Sequence, residues 1–175
     1  LDLDAVVAGI THWYREQKAL LNDQDLSPSY KAIQDRQQAK AAEMASKRQA
    51  LAEQFMQANA ERDEVSVTDS GLQYEVLESG GGASPGPTST VVTHYHGTLV
   101  DGTVFDSSVE RGEPAEFGVN QVIPGWTEAL QLMSVGDKWR IACPPQLAYG
   151  DQGAGDAIPP NTALVFEIHL IEIKD

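Results

Sequence analysis

The chain has 175 residues, 41% hydrophobic and 22% charged, a composition that predicts one buried core with a smaller appendage. Twelve basic residues face 26 acidic ones for a net charge of −14, and a surface so negative repels phosphate backbones and excludes nucleic acid as a partner. One cysteine, Cys143, excludes an internal disulfide and a thiolate-rich zinc site, and no apolar run approaches the ~18 residues of a membrane span. The charge is unevenly spread. Residues 1–62 hold nine acids and eight bases; residues 63–175 hold seventeen acids and only Arg111, Lys138, Arg140 and Lys174 as bases. The opening residues show no basic stretch followed by an apolar run, so no signal peptide is expected within them.

Asp4 can cap a helix running to about Leu21, with Val6, Val7, Ile10, Trp13, Tyr14 and Leu21 recurring at helical spacing. Asn22-Asp23 interrupts it, and Ser27-Pro28 predicts a second start, with Ser as N-cap and Pro at the first helical position. No Gly or Pro follows until Gly71, and the stretch to about Arg62 is rich in good helix formers. Its apolar residues sit near the ends (Tyr30 and Ile33, then Leu51, Phe55 and Met56), and between Gln34 and Ala50 only Met44 is large and apolar. A helix with apolar ends and a polar middle is expected to bridge through solvent.

The period then changes. Leu72–Glu78 alternates as a strand does, Ser79–Pro87 reads as an exposed loop, and Val91–Val100 reads as a strand leading into a tight turn at Asp101-Gly102. Lys138–Cys143 stops at Pro144-Pro145, and Leu164–Ile171 alternates an apolar with a mixed face. Thr127–Met133 has room for no more than two helical turns. Strands joined by short turns, with one small helix, imply an α+β fold in which an antiparallel sheet curls around that helix.

Reactive groups are scarce. Gly80–Gly82 could suggest a phosphate cradle, but no helix follows, so a flexible turn is the better reading. His94 and His96 share a face of their strand, yet no sequence cluster supplies further metal ligands. Ser107 and Ser108 lack a nucleophile elbow, and Cys143 at a strand end reads as a small packed residue. What stands out is a set of large apolar residues at strand ends, turns and the short helix: Tyr95, Phe105, Val122, Ile123, Trp126, Tyr149, Ile158 and Phe166.

The ordered segments His94-Tyr-His-Gly-Thr-Leu, Asp101-Gly-Thr-Val-Phe-Asp-Ser-Ser, Val122-Ile-Pro-Gly-Trp-Thr-Glu-Ala-Leu, Met133-Ser-Val-Gly-Asp-Lys, Leu147-Ala-Tyr-Gly and Ile158-Pro-Pro-Asn-Thr-Ala-Leu-Val-Phe closely resemble the FKBP-type peptidyl-prolyl cis-trans isomerases over about residues 71–175. The arm resembles that of the bacterial Mip-like, FkpA-like and FKBP22-like subgroup. The resemblance implies a helical arm with dimerisation through Val7, Ile10, Trp13 and Tyr14 in residues 1–62. Residues 63–175 would form a five-stranded antiparallel half-barrel wrapped on a short helix. It implies Trp126 as the pocket floor, Tyr95, Phe105, Val122, Ile123 and Phe166 as walls, and Tyr149 and the Ile123 amide as donors to a carbonyl. Asp106 would sit at the rim, held by Tyr95 and Arg111. Ala115 stands where a wall aromatic is common, Ala154 and Ala157 thin the flap from Asp151 to Pro160, and the segment between Phe117 and Val122 is shorter. Ile158 and Ala115 join the substrate-binding set.

Such residues suit a reaction without bond cleavage. Amide rotation faces ~18–20 kcal/mol, while the two Xaa-Pro isomers differ by only about 0.5–1 kcal/mol, so an enzyme need only favour the twisted amide. The resemblance implies no metal or organic cofactor, proline-containing unfolded polypeptides as clients, a homodimer and macrolide inhibitors of the rapamycin type. It favours the periplasm or outer surface, with the cytoplasm as alternative. A holdase-type chaperone with a vestigial pocket, or a purely structural dimer, is the rival reading.

Overall fold

A computed structural model describes the backbone of residues 23–174 and the side chains of residues 31–174. The expected first helix and its stripe of Val7, Ile10, Trp13 and Tyr14 lie outside the described residues.

Helix α1 spans Asp23–Ala60. At 1.5 Å per residue its 38 residues extend about 57 Å. The start expected at Pro28 is corrected: residues 23–27 are helical as well. Proline forbids one backbone hydrogen bond and crowds one carbonyl, a local cost that a long run of good helix formers can absorb. Every side chain from Lys31 to Met44 is exposed, as an all-round polar, Ala-rich sequence requires. From Met44 onward the helix belongs to the same compact unit as the sheet, against which Ala52 is buried and Phe55 and Met56 are half-buried.

That attachment is polar as well as apolar. Gln73, buried on the first long strand, donates to the Met56 carbonyl at 2.7 Å and accepts from the Asn59 amide at 2.7 Å. Just beyond the helix, Arg62 reaches Glu75 at 2.8 Å, and Arg140 closes the same carboxylate from the next strand at 3.2 Å. Buried amides seldom go unpaired; here the partner of each is on the other element.

The sheet has strands β1 (Ser66–Val67), β2 (Gln73–Glu78), β3 (Thr90–Leu99), β4 (Val104–Ser107), β5 (Ala115–Gly118), β6 (Lys138–Cys143) and β7 (Leu164–Lys174). All pairings are antiparallel, in the order β1-β2-β6-β7-β3-β4, with β5 also on β3. The expected five strands become seven by an informative route. β4 lies opposite His96–Thr98 and β5 opposite Thr90–Thr93, so the two share one lane beside β3. Short helix α2 (Ser108–Arg111) interrupts that lane. The two-residue β1 adds an edge.

Helix α3 (Pro124–Leu132) fills the concave side. Its Trp126, Ala129 and Leu130 join Met133 and the inward residues Leu72, Val91, Tyr95, Ile141, Leu164, Phe166, Ile168 and Leu170 in one core. Along β7 buried and half-buried residues alternate from Leu164 to Leu170, the period-two signature of a sheet with one dry face. Gly80 and Gly82 are packed, while Gly81 between them faces open space. A Cβ on Gly80 would meet the Val135 carbonyl at 2.3 Å, and the buried Asp137 carboxylate accepts from the Gly80 and Ser134 amides at 2.5 and 2.8 Å. Among the described residues no helix is long and apolar enough to cross a membrane.

Candidate active site

Trp126 stands on the first turn of α3, where Pro124 begins the helix at no cost in hydrogen bonds, and the Thr127 hydroxyl fastens the turn to the Val119 carbonyl at 2.7 Å. The indole is 4% exposed and three rings frame it edge-on: Tyr95 at 5.4 Å and 82°, Phe117 at 5.5 Å and 80°, Phe166 at 5.3 Å and 82°. Phe105 in turn meets Phe166 at 5.5 Å and 89°. Edge-to-face rings contribute about 0.5–1.5 kcal/mol per pair beyond their buried area, so the frame is rigid before any ligand arrives. It encloses a cleft of about 370 Å³, whose walls also include Asp106, Gln121, Val122, Ile123 and Tyr149.

Gly97 makes the frame possible. A Cβ there would stand 2.7 Å from the Phe105 ring and 3.1 Å from Phe166, so only glycine lets both rings close over β3.

The rim is built by the break between β4 and β5. Ser107 caps α2, accepting from the Glu110 amide at 3.2 Å, and Gly112 ends it in the left-handed conformation. This single turn brings Arg111 back beside Asp106: the guanidinium donates to the Asp106 carboxylate and to the Tyr95 hydroxyl at 2.8 Å. Tyr95 donates to the other Asp106 oxygen at 2.5 Å. Burial pushes the Asp106 carboxyl up, but the hydrogen bonds from Tyr95 and Arg111 outweigh it and hold it below the ordinary carboxylate range. Burial, reinforced by the bond to Asp106, raises the Tyr95 phenol, which stays a donor at neutral pH. Where the lane is interrupted, the fully buried Ser108 hydroxyl replaces the missing strand, bonding both the amide (2.7 Å) and the carbonyl (3.2 Å) of Tyr95.

The structure therefore brings together Tyr95, Phe105, Asp106, Val122, Ile123, Trp126, Tyr149 and Phe166 of the expected set. Three other expected residues are not among those that line the cleft. Arg111 stands at the rim, where it bonds Asp106 and Tyr95. Ala115 packs on the core from β5. Ile158 is buried in the core, tied through backbone bonds to Ala154 at 2.8 and 3.1 Å. Phe117 and Gln121 were missed. The alternation Ala115-Glu116-Phe117 carried a signal for Phe117, since residues two apart on a strand share a face; Gln121, in a short 3-10 turn, carried none.

No activated nucleophile stands in the cleft. Cys143 is fully buried, and burial pushes its thiol far up; Ser107 and Ser108 are spent on the cap and the strand gap. On the outer face of the sheet His94 and His96 bond Ser108 and Ser107 at 3.1 and 2.9 Å. Among the described residues no group of three or more His, Cys, Asp or Glu is placed to hold a metal ion. The arrangement can grip an apolar ring and offer hydrogen bonds at its edge, without attacking it.

Comparison with known proteins gives the same picture from another direction. The chain is 58% identical over 119 residues to the FKBP-type 22 kDa peptidyl-prolyl cis-trans isomerase of Escherichia coli strain K12, covering 68% of this chain and 58% of that protein. To the outer membrane protein MIP of Legionella longbeachae it is 46% identical over 149 residues, covering 85% of this chain and 64% of that protein. The crystal structure of FkpA from Escherichia coli superposes with a TM-score of 0.80 at 39% identity, covering 99% of this chain and 83% of that one. This chain thus spans about three-fifths of the length of these two sequence relatives. The family described as a domain amino-terminal to FKBP-type peptidyl-prolyl isomerase matches residues 1–76. Residues 81–171, the stretch that supplies the whole aromatic frame, match the family described as FKBP-type peptidyl-prolyl cis-trans isomerase, and it is to this family that the chain belongs.

Proposed function

We propose that the chain accelerates cis-trans isomerisation of Xaa-Pro bonds in unfolded or partly folded polypeptides. The observation that carries this reading is the closed aromatic frame around Trp126, with the Tyr95–Asp106–Arg111 cluster at its mouth. A proline ring seated on the indole leaves its imide bond at the mouth, out of bulk water. The planar amide is the more polar state, and a dry, preorganised site favours the twisted one. The Ile123 amide and the Tyr149 hydroxyl are offered to the carbonyls flanking the proline and hold the ends while the bond between them turns. Lowering the barrier by ~4 kcal/mol would give roughly a thousandfold acceleration.

In this reading residues 63–175 are the isomerase domain, and residues 1–62 are the arm, through which two copies associate. Chaperone action on whole proteins then follows from two clefts engaging one client, which multiplies weak affinities through effective concentration. The relative named an outer membrane protein favours a place in the cell envelope. The test is isomerisation of a proline tetrapeptide and proline-limited refolding of a protein client, with sedimentation for the assembly. A folded chain that accelerates neither removes the proposal.

A further inference from the structure

A second groove, of about 640 Å³, lies between the last turns of α1 and the base of the flap. Ala52, Met56, Val67, Gly71, Pro144 and Pro145 form its apolar surface. It stays open because Ala52, Gly71 and Gly150 are small, and it is preformed because Gln73 bonds the Met56 carbonyl and the Asn59 amide across it. On one wall β1 ends the sheet, with no further strand on its outer edge among the described residues and with Val67 exposed.

Two observations say what the groove accepts. First, its charged lining residues are Glu53 and Asp151, on opposite walls, with no cation among the residues that line it. An apolar ligand carrying a positive charge is complementary; an acidic one is repelled. Second, the groove and the cleft share one loop. Tyr149 lines the cleft, while the next residue, Gly150, lines the groove. The loop is fixed by the Gly150 amide on the Pro145 carbonyl at 2.9 Å and the Asn161 amide on the Gly150 carbonyl at 2.8 Å. Cleft and groove are thus neighbours across this one loop.

We propose that this groove binds a second segment of the client polypeptide, one that pairs an apolar side chain with a lysine or arginine, a few residues along the chain from the proline. The segment lies extended against β1, its apolar side chain on Met56 and Pro145 and its cation between Glu53 and Asp151. The naming of the client rests on the isomerase reading of the cleft; the groove itself does not. Substrate choice then has two parts: the cleft selects proline, the groove selects the sequence beside it.

The test uses the full chain with methyl-labelled methionine and a proline-free peptide of leucine and lysine. The expected result is a shift of the Met56 methyl resonance while Met44 and the core Met133 stay fixed. Binding should weaken about tenfold in Glu53→Lys. The same peptide should raise KM for a protein client and leave tetrapeptide kcat/KM unchanged. An unmoved Met56, equal binding by Glu53→Lys, or competition against the tetrapeptide overturns the proposal. A moved Met56 in a chain that turns over no tetrapeptide supports the groove and defeats the isomerase reading instead.

Discussion

Replacing Asp106 by asparagine keeps the shape of the rim and removes its charge. The carboxylate takes one bond from Tyr95 and one from Arg111. The Arg111 pair is half in water, with side chains 51% and 43% exposed, and solvent screening leaves it little weight. The bond from Tyr95 matters more, because that residue is only 6% exposed and charge-assisted bonds are roughly twice as strong as neutral ones. The sum is a loss of about 1–2 kcal/mol, or a melting point lower by about 2–8 °C for a chain of this size. Tyr95 loosens against Trp126, so kcat/KM for a proline tetrapeptide falls about tenfold. Its folded-state pKa being lowered, Asp106 stabilises the native state above the ordinary carboxylate pKa of ~3.9 and loses that contribution as pH falls through the lower native value. The wild-type advantage over Asp106→Asn therefore persists through the neutral and mildly acidic range and closes only in strong acid. Thermal melts and coupled peptide assays from neutral to acid pH read all three quantities. A rate loss beyond ~10⁴-fold at unchanged stability would refute the reasoning, since it would make Asp106 a chemical participant rather than a group that positions the rim. So would no change in either.

Tyr149→Phe should lower tetrapeptide kcat/KM about three- to tenfold, the loss of one ordinary hydrogen bond, and leave the melting point unchanged, because this side chain is 41% exposed. Gly97→Ala drives a methyl into Phe105 and Phe166; overpacking of this kind costs about 1–3 kcal/mol, and the displaced rings should raise KM more than they lower kcat. Gln73→Ala strands the Asn59 amide and frees the Met56 carbonyl. Urea unfolding should register a loss of about 1–3 kcal/mol, and hydrogen exchange should speed up over the last turns of α1 while β6 and β7 keep their protection.

The sheet was legible because its residues obey a period of two. Leu164, Phe166, Ile168 and Leu170 predict their own burial, and Asp101-Gly102 predicts its turn, seen as the Leu99 and Thr103 backbone pair at 2.9 Å with Gly102 at positive φ. The aromatic set of the cleft was legible through family resemblance, not periodicity: each ring alone reads as core, and in fact Tyr95, Trp126 and Phe166 are both core and cleft. Ile158 is hard to read for the same reason, since a buried apolar residue on a loop gives no sign of which side it faces. The start of α1 was misjudged because a serine–proline pair signals a helix start locally, while propensity summed over the following turns decides. The groove could not be read at all: it depends on Ala52, Gly71 and Pro145 meeting across distant parts of the chain.

The excursion between Ser107 and Ala115 leaves the sheet lane opposite His96 and rejoins it opposite Thr93. Ser108 mends the gap from within, so residues 109–114 carry no pairing duty. Length and side chains in that stretch can drift without disturbing the register of any strand. A chain built this way can have the mouth of its pocket altered by changes in one excursion while the barrel beneath it keeps its pairing.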